Sequence, residues 1–108
     1  MEVKTFQQNA VTVIQVTGEI NISTSPDFKK HFEKMPSQKI IIDLEKVNYV
    51  DSSGLATLVE VLKKTKSQGG SLALAAMSAK VKSLFEITKL DKLFNIFPTQ
   101  QQALATLS

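Results

Sequence analysis

The run KIIIDLEKV, residues 39–47, limits the folds open to this chain more than any other segment. Successive side chains of a strand point to opposite faces, so Ile40, Ile41, Ile42 and Leu44 ask for a nearly continuous apolar environment. Such a strand is covered on at least one face and belongs in the middle of a sheet. The segments around it alternate in period. Residues 3–8, VKTFQQ, and 11–18, VTVIQVTG, are rich in β-branched residues and are separated by a short turn, which predicts two antiparallel strands with Gly18 closing the second. A polar loop, 19–25, leads to Pro26, which suits a first helical turn with Ser25 or Thr24 as its cap. Phe28, Phe32 and Met35 give that helix its buried face, and Pro36 ends it.

After residue 50 the period becomes helical. Leu55, Leu58, Val59 and Leu62 form one stripe, Lys63, Lys64 and Lys66 suit the negative end of the helix dipole, and Gln68-Gly69-Gly70 stops the helix. SLALAAM, 71–77, reads as a strand. Ser78 caps a helix facing inward through Val81, Leu84, Phe85 and Thr88, residues 90–97 form a connector or short extended segment, and a terminal helix follows Pro98. The expected order is β-β-α-β-α-β-α-(β)-α. Strand–helix alternation requires parallel crossovers, so the fold class is α/β: a small mixed sheet, antiparallel at its N-terminal strand and otherwise largely parallel, with about four helices mainly on one face.

Composition narrows the function. At 108 residues a single domain spanning 1–108 is expected, and no apolar run approaches the ~18 residues of a membrane span. The opening MEVKTFQQNA shows no basic segment followed by an apolar one, so no secretory signal is expected, and the expected location is cytoplasmic. Without cysteine there is no disulfide, thiolate metal site or cysteine nucleophile. Residues 1–60 carry six lysines against eight acids, net −2; residues 61–108 carry seven lysines against two acids, net +5. The basic half reads as a solvated lysine face or as a surface for an acidic partner. There is no arginine, so bidentate contacts to phosphate or guanine are impossible and nucleic acid is not an expected partner.

No residue set makes a positive case for catalysis. His31 is the sole histidine and lies in a lysine-rich helix, far in sequence from any paired serine. Gln68-Gly69-Gly70-Ser71 lacks the pattern of a phosphate loop and is accounted for as a helix stop. No cofactor and no metal site are expected. What remains is Asp51-Ser52-Ser53-Gly54-Leu55, between the central strand and the clearest helix. Asp51 or Ser52 as an N-cap, worth ~1 kcal/mol, accounts for one polar residue. It leaves the second hydroxyl unexplained, and also Gly54, which gives away up to ~1 kcal/mol of helix propensity relative to alanine. Small residues there are expected to leave the helix N-terminus uncovered, in reach of an anion, and a phosphoserine would suit the dipole. From the residues alone, cap and phosphorylation switch stand side by side.

The stretch 40–98, with IIIDL, VDSSGL and the QGG turn in order, resembles the STAS domain and most closely the bacterial anti-sigma factor antagonists. The likeness extends to the Gly18-Glu19-Ile20-Asn21 turn and the QQQAL helix, hence over nearly the whole chain. The resemblance implies partner switching. An unphosphorylated antagonist binds an anti-sigma factor that is also a GHKL-type serine kinase and so frees a sigma factor; phosphorylation by that kinase ends the complex, and a phosphatase resets it. The phosphoacceptor matches Ser53, with Ser52 second. Glu19, Asn21, Ser23, Thr24, Asp51, Ser52, Gly54 and Leu55 match the partner surface, with Asn21 where relatives often carry aspartate, and Asp51 is expected to orient the hydroxyl or contact the kinase. The free protein is expected to be a monomer. Two rivals are a STAS subunit of a lipid-transport ATPase or stress-signalling complex and a nucleotide-binding module.

Overall fold

The computed structural model describes residues 1–33 and 39–107. Its elements are β1 (Glu2–Gln8), β2 (Val11–Ile20), α1 (Ser25–Glu33), β3 (Lys39–Val50), α2 (Ser52–Ser67), β4 (Ser71–Ala75), α3 (Ala79–Ile87), a 3-10 turn (Leu90–Lys92), β5 (Asn95–Phe97) and α4 (Gln100–Leu107). The strands form one sheet in the order β1-β2-β3-β4-β5, with β1 antiparallel to β2 and every other neighbouring pair parallel. The apolar run is therefore the central strand. Met35 and Pro36, expected to finish the first helix, lie outside the described residues.

The two faces of β3 explain its composition. Ile40, Ile42 and Leu44 enter a core built with Phe28 and Phe32 of α1, Leu55, Leu58 and Leu62 of α2, and Val81 and Phe85 of α3. Ile41 faces the other way, joining Val11, Val13, Ala73 and Ala75 beneath Ala103 and Leu104 of α4. Three helices thus cover one face and one covers the other. Asp43 lies almost fully buried at the start of α4, and both carboxylate oxygens are used: Glu45 N–H donates to Oδ1 at 2.9 Å, and Gln100 Nε2 donates to Oδ2 at 2.7 Å. A buried carboxylate without such donors would cost several kcal/mol, on the order of the penalty for any unpaired buried ion.

Several expectations shift in detail. Gly18 does not end β2; the strand runs on to Ile20, with its register against β3 shifting between Gly18 and Glu19. Pairing with β3, which reaches Val50, sustains those last residues, so the loop shrinks at both ends and Ser25 opens α1. The helical stripe of α2 is wider than read: Val59 is half-buried and Val61 is in the core. Thr88 is an exposed C-cap residue of α3, its hydroxyl donating to the Leu84 carbonyl at 2.7 Å. Ser78 caps α3 as expected, accepting from Val81 N–H at 3.2 Å. Among the described residues no helix is long and apolar enough to cross a membrane.

The end of α2 shows why its stop is legible. Gly69 has φ +80°, its N–H donates to the Lys66 carbonyl, and Gly70 N–H donates to the Thr65 carbonyl, the paired bonds of a Schellman motif. A Cβ on Gly69 would meet nothing within 4 Å, so only the backbone conformation opposes a side chain. Gly69→Ala is therefore expected to lower stability by about 1 kcal/mol, read as a urea midpoint shift at constant slope.

Candidate functional site

β2 and β3 run parallel, so the chain leaves both at the same end of the sheet. Ile20 pairs with Val50, which puts the loop after β2 directly against the first turn of α2. Asp51 sits at the junction in extended conformation (φ −92°, ψ −177°), as the N-cap of α2. Its Oδ1 accepts from Gly54 N–H at 2.8 Å, and its Oδ2 accepts from Ile22 N–H at 3.1 Å. Its own N–H donates to the Ile20 carbonyl at 3.1 Å, and its carbonyl takes the first helical bond from Leu55 N–H at 2.9 Å. One residue thus caps the helix and holds the loop.

The cap is Asp51, not Ser52. Ser52 and Ser53 occupy the first two helical positions, Ser52 exposed and Ser53 half-buried. The Ser53 carbonyl accepts from Thr57 Oγ1 at 3.0 Å, whereas neither serine hydroxyl bonds to any described residue. Leu55 packs into the core and fixes the turn that carries them.

The expectation that small residues leave this helix end uncovered is overturned at Gly54. That glycine is buried, and a methyl there would be driven into the Ile20 carbonyl oxygen and lie 2.9 Å from Val50 Cγ1. Glycine stands in the first turn because the end of β2 presses on it, and its N–H is already taken by Asp51. Likewise, the Asp51 carboxylate is spent on two backbone donors rather than on orienting a serine hydroxyl.

The loop is held by its own side chains. Asn21 Oδ1 accepts from Ser23 N–H at 2.9 Å and Thr24 N–H at 3.1 Å, and its Nδ2 donates to Glu19 Oε1 at 3.1 Å. Thr24 Oγ1 donates to the Glu19 carbonyl at 2.8 Å and accepts from Asn21 N–H at 2.9 Å. Aspartate at position 21 would keep the acceptor but lose the donor to Glu19. The fold thus brings all the expected positions, Glu19, Asn21, Ser23, Thr24 and 51–55, to one end of the sheet. Residue-type reasoning missed Ile22 and Tyr49, which are exposed apolar side chains at that same end. An isoleucine inside a polar loop was the available signal for the first; nothing marked the second. His31 lines a groove with Val3, Thr5, Thr24, Asp27 and Lys30, which meets the site loop at Thr24 but is lined by neither serine.

Two substitutions test this geometry. Gly54→Ala is expected to cost about 3 kcal/mol or more in a denaturant melt, well beyond its helix-propensity gain, because backbone must move to admit the methyl. Asn21→Asp is expected to lose no more than ~1 kcal/mol, and less in 1 M salt, since it sets two exposed carboxylates against each other while keeping the acceptor of the turn.

The STAS domain family matches residues 2–103. The anti-sigma-B factor antagonist of Bacillus subtilis is 34% identical over 85 residues, covering 77% of this chain and 78% of that protein. A crystal structure of a Thermotoga maritima protein described as an anti-sigma factor antagonist superposes with TM-score 0.91 at 28% identity, covering 97% and 93% of the two chains. The unphosphorylated form of the antagonist SpoIIAA shares the fold at TM-score 0.71 and 15% identity, over 97% and 96%. The architecture, the motif at the start of α2 and the span of the match agree, and this chain belongs to the STAS domain family.

Proposed function

We propose that this protein is an anti-sigma factor antagonist, switched by phosphorylation of Ser53. Its unphosphorylated form binds an anti-sigma factor that is a GHKL-type serine kinase and frees a sigma factor; phosphate on Ser53 ends binding until a phosphatase removes it. The protein is then partner and substrate rather than catalyst. The carrying observation is the division of labour in the first turn of α2. Asp51 does the capping and Gly54 admits β2, while the Ser53 hydroxyl bonds to none of the described residues. The name of the Bacillus subtilis relative, an anti-sigma-B factor antagonist, supports the antagonist part of this reading.

The physics of the switch follows from the position. A phosphate at the second residue of a helix brings −1.5 to −2 charges to the positive end of the dipole, where the helix tolerates them. The fold is kept, and the effect falls on the surface. A partner that covers this end must dehydrate the dianion beside Asp51, and that penalty is several kcal/mol unless cations compensate.

The test is tandem mass spectrometry of protein isolated from native cells, followed by binding of each form to the anti-sigma kinases of the same organism. Phosphate on Ser53 is expected, with affinity lowered about a hundredfold, equivalent to ~3 kcal/mol. Ser53→Ala is expected to remain bound when ATP is added. A chain unmodified through growth and stress would overturn the switch and favour a constitutive subunit, such as one in a lipid-transport ATPase complex. Nucleotide bound by the isolated chain in calorimetry would instead favour a nucleotide-binding module.

A further inference from the structure

Ile22 stands out at the proposed partner surface. It is 72% exposed, yet side chains bind the backbone around it. Its N–H is taken by Asp51 Oδ2, and the N–H groups of the next two residues are taken by Asn21 Oδ1. A single apolar side chain in water is ordinary on a protein surface, and its exposure alone marks nothing. Here three consecutive amides are bound by side chains, so the isoleucine is presented on a fixed frame and loses little further freedom on being covered.

We infer that Ile22 is the apolar anchor of the partner interface and inserts into an apolar pocket on the anti-sigma factor. The inference rests on the function proposed above and deepens it. The chemistry of that partner follows from continuity with Ser53. The Ile22 amide is bonded to the side chain of Asp51, two residues before the phosphoacceptor, so a pocket that receives Ile22 also closes over the start of α2. An apolar, water-excluding contact is the kind of neighbour a phosphate disrupts most, because the dianion then has to be stripped of water without a compensating donor. Apolar anchor and phosphoacceptor together make a switch; a wet, polar contact at position 22 would leave phosphate with little to break.

Ile87 provides the control. It is 78% exposed, but it ends α3, which starts at the C-terminal end of β4 and runs back, so it lies at the opposite end of the sheet from Asp51. The experiment titrates wild type, Ile22→Ala, Ile22→Val and Ile87→Ala against the purified GHKL-type anti-sigma kinases of the same organism, with sedimentation of each free variant. Ile22→Ala is expected to weaken binding about tenfold or more, Ile22→Val to retain most of it, and Ile87→Ala to match wild type. All four are expected to melt alike, since both side chains are in solvent. If wild type binds and Ile22→Ala binds equally well, the anchor is overturned while the proposed function stands. If wild type binds none of the kinases, both fall. If wild type sediments as a dimer that Ile22→Ala dissociates, the residue serves self-association and the anchor is overturned.

Discussion

The carboxylate of Asp51 is the joint on which this end of the molecule depends. It accepts from Gly54 in its own helix and from Ile22, a residue 29 positions earlier in the chain. Charge-assisted bonds to backbone amides are about twice as strong as neutral ones, and a negative charge at a helix start is further favoured by the dipole. The amide of Asp51 returns the tie by donating to Ile20. Strand end, loop and helix start are thereby locked at three points, and the close approach they produce leaves no room for a side chain at Gly54.

Around that joint, positions 51–55 at the start of α2 differ in what they do. Asp51 binds backbone, Gly54 yields space, Leu55 reaches the core, Ser52 is exposed and Ser53 is half-buried. The neighbouring loop is equally self-sufficient, with Asn21 and Thr24 satisfying backbone donors that would otherwise need water. A surface whose own hydrogen bonds are already made is rigid before a partner arrives, which lowers the entropic cost of binding. Under the proposed switch, a group added at Ser53 would change what the surface presents without removing any hydrogen bond found among the described residues around it.

Much of the fold was legible because its signals are local. Helix stripes at Leu55, Leu58 and Leu62, the cap at Ser78 and the stop at Gly69 depend on residues within a few positions of one another. The central strand announced itself because Ile40, Ile41 and Ile42 need cover on both sides. Two of the misses share one cause, contacts between segments distant in sequence. The continuation of β2 past Gly18 is maintained by pairing with β3, and local turn chemistry could not show it. Val61 joined the core because α2 faces both α1 and the sheet, which a single stripe does not capture.

The candidate site divides along the same line. The sequence by itself determined that a polar, glycine-containing turn would open a helix after a buried strand, and that a capping residue would be found there, since capping is a bond between a side chain and its own next turn. Only the tertiary structure decided which residue caps, why the glycine is obligatory and what lies beside the serines. Those outcomes are set by the register of two parallel strands, which brings Ile20 to Val50 and so presses the loop of one crossover onto the helix of the next. Register is fixed by the packing of the whole sheet, and no short stretch of sequence contains it.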